Sequence, residues 1–216
     1  MPTSLINVLG NTVTLVQLPF TSTSMETVEW SGTVTVADVT SVFTGGTQVF
    51  QWPGADMWSG TCTLPALTQV QANKWVAALL QCQGKTNAVQ LGHPLGKIPG
   101  GVVQGSPTVD GSIPVLAGGQ VLYTAGWTPT KSGLLLPGDY IQVGYRYHMV
   151  LDTVNSDANG KAPVNIWPSL REVPTGGTPI STSNAVGLFR LKNNTVTWST
   201  DVTKLVKLSF GIMEYR

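Results

Sequence analysis

Val206-Lys207-Leu208-Ser209-Phe210-Gly211-Ile212 alternates apolar residues with polar or small ones at every step. A period of two puts Val206, Leu208, Phe210 and Ile212 on one face of an extended chain, since successive strand side chains point to opposite sides. A helix would scatter the same four around its circumference. The stretch therefore reads as a half-buried strand. Tyr140–Leu151 carries the same signal over a longer span. Ile141, Val143, Tyr145, Tyr147, Met149 and Leu151 fall on one side, and Gln142, Gly144, Arg146 and His148 on the other. Its period predicts another strand with an apolar inner face.

Further strands are predicted at Thr12–Val16, Thr27–Val36, Thr47–Trp52, Val102–Gln104, Val121–Tyr123, Pro163–Ile166 and Thr195–Ser199. Between them lie turn formers such as Pro53-Gly54, Pro99-Gly100-Gly101, Asp110-Gly111, Pro137-Gly138-Asp139 and Gly176-Gly177. Gly45-Gly46, between Val42-Phe43 and Val49-Phe50, and Asn159-Gly160 read as hairpin tips, because glycine and asparagine accept positive φ cheaply. One segment differs. Thr68–Gln83 lacks glycine and proline, and Ala72, Trp75, Val76, Leu79, Leu80 and Cys82 recur at helical spacing. Thr68 and Gln71 make a capping-box signature and Gly84 supplies a stop. The expected class is mainly β: an antiparallel sandwich or split barrel, with one α-helix at about residues 68–83 packed on it. No repeat or charge run divides the chain. The expected organisation is one β-rich domain over 26–216, preceded by an arm at 1–25 that neighbouring subunits would order.

Composition narrows the function classes. Only 11% of the 216 residues are charged, against roughly 25% in ordinary soluble domains. The formal net charge is +1. A dedicated nucleic-acid binder would show a basic excess, and a peripheral membrane protein a polybasic segment, so neither partner is expected. The longest apolar runs, Trp75–Leu80 and Leu134–Pro137, fall far short of the roughly 18 residues of a spanning helix. The N-terminus shows no basic region followed by an apolar run, so a protein made in the cytoplasm is expected. Two cysteines, Cys62 and Cys82, are too few for a disulfide scaffold and are expected as buried thiols. A weakly charged surface rich in Ser, Thr, Asn, Gln and Gly repels its own copies little, which favours assembly.

Residues able to carry chemistry are few and dispersed. His93 sits in a Gly-His-Pro-Leu-Gly turn and His148 in a strand; neither belongs to a zinc-type constellation. No nucleophile elbow or phosphate loop is present. Asn155-Ser156-Asp157-Ala158-Asn159-Gly160 resembles the front of a calcium loop, but the closing acid position holds Ile166, so a polar turn is expected. Glu26 with Glu29, and Asp152 with Asp157, are the nearest acidic pairs, without the setting of a glycosidase cleft. Seven tryptophans suit core and interface, and leave a carbohydrate-binding β-module as the alternative function. No enzyme, catalytic residue, cofactor or metal is expected.

An ordered series of short motifs resembles tail proteins of tailed bacteriophages and prophages. It runs from Trp58 through Leu64-Pro65-Ala66-Leu67-Thr68, the helix with Trp75-Val76-Ala77-Ala78-Leu79-Leu80, Gly84 and Leu91-Gly92-His93-Pro94. It continues with Gly105–Gly111, Gly126-Trp127, Leu135–Gly144, Met149–Asp152, Asp157–Gly160, Ile166–Arg171 and Gly187–Leu191, and closes with Ser209-Phe210 and Glu214. The likeness covers roughly Glu26 to the C-terminus. It implies a role similar to distal tail and baseplate hub proteins: a virion component that forms a homo-oligomeric ring and joins tail tube, hub and fibre. It carries no enzymatic site. Within it, Asp139 is expected to accept hydrogen bonds from nearby N–H groups after the Pro137-Gly138 turn. Arg171 either pairs with a neighbouring subunit or caps the edge of the core.

Overall fold

The computed structural model describes residues 3–8, 10–20 and 25–216. Strands hold 43% of the chain and helix 6%, and curled antiparallel sheets form a half-barrel and a near-barrel. In order, the elements are β1 (Thr3–Val8), β2 (Asn11–Val16), β3 (Thr27–Thr33), β4 (Val36–Thr40), β5 (Thr47–Gln51), β6 (Met57–Thr63), α1 (Gln69–Gln81) and β7 (Ala88–Leu91). There follow β8 (Gly105–Val109), β9 (Val121–Trp127), β10 (Tyr140–Val143), β11 (Arg146–Val150), β12 (Ala162–Trp167), β13 (Ile180–Ser181), β14 (Gly187–Leu191), β15 (Trp198–Thr200) and β16 (Val206–Glu214).

Where one domain was expected over 26–216, the chain clusters into two compact units. Unit 1 comprises Met1–Ser31, Trp58–Pro94 and Val186–Arg216; unit 2 comprises Gly32–Met57 and Leu95–Ala185. No linker marks the division in sequence, because the chain passes between the units at strand ends and short loops. Nor is the first segment only an arm. β1 and β2 pair antiparallel, and β2 joins β7 in parallel, so they form one edge of unit 1's sheet. Residues 21–24 of that segment lie outside the described residues.

Unit 1 holds an eight-stranded sheet in the order β1-β2-β7-β14-β16-β6-β3, with β15 also on β16. β16 realises the predicted alternation: Val206, Leu208, Phe210 and Ile212 are buried and Lys207 and Ser209 exposed. α1 packs on this strand through Trp75, whose ring lies 6.1 Å from that of Phe210 and 5.4 Å from Phe20. Helix bounds and cap agree with the sequence: Gln71 Oε1 accepts the Thr68 N–H at 3.2 Å. The left-handed stop begins one residue early, at Gln83 (φ 48°), followed by Gly84 (φ 64°).

Unit 2 holds a six-stranded antiparallel sheet in the order β13-β10-β11-β12-β9-β8. Its ends nearly meet: Val109 N–H donates to Thr178 O at 2.9 Å and Gly177 N–H to Val109 O at 2.8 Å. Leu122, Ile141, Val150, Val164 and Ile166 are part of the core so enclosed.

The Tyr140–Leu151 expectation requires correction. The span is a hairpin, with Val143 opposite Arg146 and Gly144-Tyr145 at the tip. Gly144 has φ 59°, the geometry a two-residue turn needs at its first central position. Cross-strand partners share a face, so the turn reverses the parity of everything after it. Arg146 and His148, assigned outward by a single strand, lie on the face of Ile141 and Val143 and are buried; Leu151 is exposed. The strand expected at Val102–Gln104 begins instead at Gly105.

Candidate functional site

β4 and β5 pair only with each other, in a register from Val36 opposite Gln51 to Thr40 opposite Thr47. Every residue of both strands is exposed. Cross-strand pairing puts Val36 and Val49 on one face and Ala37, Val39 and Phe50 on the other, so both faces are partly apolar. Sequence placed Val42 and Phe43 beside the hairpin tip; they stand in its six-residue loop, 95% and 99% exposed. Trp52, just past the hairpin, is 75% exposed. Asp38 is the one charge in residues 36–52. An isolated two-stranded hairpin is marginal in water, and natural sheets guard free edges with charge or proline. This hairpin has little of either. Exposed apolar residues gathered in one element make it the candidate interaction site of the described residues.

The base of the hairpin is held firmly within unit 2. Thr35 Oγ1 donates to Ala55 O at 3.3 Å across the stem. Asp56 is buried and accepts Ser169 N–H at 2.6 Å and Ser169 Oγ–H at 2.5 Å, while Gly54 N–H donates to Ser169 Oγ at 3.2 Å. Arg171 donates to the carbonyls of Gly54 and Asp56, each at 2.5 Å. Arg171 thus caps backbone carbonyls at the stem. Asp56 and Ser169 escaped sequence reading, since a lone Asp in Gly54-Ala55-Asp56 looks like turn chemistry. This clamp joins positions over a hundred residues apart. It presents the exposed hairpin from a rigid seat, as a docking element requires.

Asp139, Asp152, Asp157 and His148 make hydrogen bonds within the chain. Asp139 accepts N–H groups of Gly100 (2.6 Å), Gly101 (3.1 Å) and Leu136 (2.8 Å), the role expected for it. Asp157 Oδ1 accepts N–H of Asn159 and Lys161, each at 2.8 Å, so this carboxylate organises a turn. His148 Nδ1 donates to Pro168 O at 2.7 Å, because a carbonyl can only accept, and His93 lies with its ring 6.0 Å from Trp30. Burial lowers the pKa of His93. Asp152 takes the Asn165 amide at 2.5 Å. Cys62 and Cys82 are free and buried, and burial pushes their thiols up to about 12 and about 11. Trp58, Trp75 and Trp127 are core residues, whereas Trp52 and Trp198 are exposed.

Asp110, which drew no functional reading from sequence, pairs with Lys161 Nζ at 2.8 Å and takes Ser112 Oγ–H at 2.7 Å. The Lys161 and Ser112 side chains, with the Ser112 N–H, hold its carboxyl down to about 2. A depressed folded-state pKa means the unfolded chain binds the proton first, so stability from this group is present above about pH 4 and is lost as pH falls toward 2. Asp110→Asn is expected to flatten the fall in melting temperature between pH 4 and pH 2, measured by circular dichroism; an unchanged slope would contradict the assignment.

Comparison with known proteins adds no identification: no protein-family model matches the chain, and no curated protein matches it in sequence.

Proposed function

We propose that this chain is a structural protein of a bacteriophage tail, forming a homo-oligomeric ring near the distal end that connects the tail to hub or fibre proteins. The observation that carries this reading is the β4–β5 hairpin, anchored at its base yet apolar and exposed on both faces. A surface of that composition is stabilised when a neighbour covers it, and a head-to-tail contact repeated by rotation closes into a ring. The chain-wide resemblance to tail proteins and the low charge density favour the same role. His148, Asp139, Asp152 and Asp157 all hydrogen-bond within the chain, which suits work done by shape.

Native mass spectrometry and light scattering of the purified chain test this. The expected result is a cyclic oligomer, ring-shaped in electron micrographs. Val39→Asp with Phe50→Asp places charge on one hairpin face and is expected to yield monomer with an unchanged circular dichroism spectrum, since neither residue is buried in the subunit. Wild-type chain that stays monomeric up to roughly 100 μM would overturn the reading.

A further inference from the structure

Unit 1 carries a notch beside β15, whereas the β4–β5 hairpin belongs to unit 2. β15 pairs antiparallel with β16, Trp198 opposite Leu208 and Thr200 opposite Val206, so Trp198 and Thr200 share the face on which α1 packs. α1 does not cover that far. Between its first two turns and β15 remains a cavity of about 380 Å³, within the usual range for small-ligand sites.

The notch has a saccharide-like complementarity. Trp198, 46% exposed, forms one wall and offers a flat aromatic surface. Such a ring packs against the C–H face of a pyranose and buries much area with little loss of side-chain freedom. The α1 side of the lining includes Gln69 and Asn73, set on one helix face by their spacing of four. Each amide both donates and accepts, as vicinal hydroxyls require, and Thr200 adds a third such group. Ala72, Val76 and Val206 make the apolar part of the lining.

Lys204 completes the lining from a loop fixed by Asp201. That carboxylate accepts N–H of Thr203 at 2.9 Å and of Leu205 at 3.1 Å, together with the Thr203 hydroxyl. Lys204 itself has φ 61°, a conformation non-glycine residues adopt at a cost. No acidic residue lines the notch, so its one formal charge is this ammonium.

We propose that the notch between α1 and β15 is a saccharide-binding subsite, with Trp198 as stacking platform, Gln69, Asn73 and Thr200 as hydroxyl partners, and Lys204 favouring a sugar that bears a carboxylate. The full chain is titrated with glucose, galactose, N-acetylglucosamine, glucuronic acid and their short oligosaccharides. Tryptophan fluorescence and the Trp198 indole N–H resonance report binding. A saturable response is expected, weakened about tenfold or more by Trp198→Ala, largely retained in Trp198→Phe, and weakened several-fold by Asn73→Ala. Lys204→Gln is expected to weaken glucuronic acid selectively. No saturable response at Trp198 with any probe up to roughly 20 mM overturns the proposal, and so does binding that survives Trp198→Ala. The double hairpin variant Val39→Asp/Phe50→Asp is expected to bind as wild type, which separates failure of this site from failure of the ring.

Discussion

Trp75→Ala is expected to destabilise unit 1 by about 4 kcal/mol, read as a lower midpoint in urea unfolding followed by circular dichroism. Trp75 is completely buried, and its indole lies edge-on to Phe20 and tilted against Phe210 of β16. Truncation removes a fully buried aromatic contact between helix and sheet and leaves a cavity that the surroundings only partly fill. Trp75→Phe separates the contributions. The indole Nε1 has no hydrogen-bond partner among the described residues, so phenylalanine deletes a buried unsatisfied donor while keeping most of the ring. That variant is expected to lose under half as much. Equal losses from both substitutions would contradict a packing role.

Asp139→Ala should lower unit 2 stability by roughly 3 kcal/mol, again by urea unfolding. One carboxylate satisfies three backbone donors, those of Gly100, Gly101 and Leu136, and so joins two loops about forty residues apart. Alanine would strip all three at once and leave N–H groups in a partly buried loop without an acceptor. Asp139→Asn keeps one carbonyl acceptor but adds a competing donor, and should fall between alanine and wild type. A loss below about 1 kcal/mol for alanine would mean that water replaces the carboxylate freely.

These two residues were legible for definite reasons. Trp75 lies on a stripe with helical period inside a segment bounded by a capping box and a glycine, signals that are local in the chain. Asp139 follows Pro-Gly, where a short acidic side chain meets the nearby Leu136 N–H; its bonds to Gly100 and Gly101 needed the fold. Asp56 and Ser169 had no such cue, since their partnership spans 113 positions and only folding brings them together. Arg146 and His148 were placed on the wrong face by an otherwise sound alternation. A two-residue turn at Gly144 is nearly invisible within a period-two pattern, yet it reverses the assignments of Arg146, His148 and Leu151, while Tyr147 is buried as expected. Trp198 shows the opposite case: its strand was predicted, but the groove beside it depends on where the first two turns of α1 lie.

Local sequence alone determined the β-rich class, the position and cap of the helix, the inward face of β16, the turn chemistry of Asp157 and the bond of Asp139 to Leu136. Each depends on spacing within a dozen residues, over which backbone geometry fixes side-chain direction. Tertiary structure alone decided the division into two units, the place of β1 and β2 at a sheet edge, the clamp beneath the hairpin and the exposure of its apolar faces. Those features are set by which distant strands pair. That choice reflects the burial available to the whole chain rather than any preference of the residues at the site.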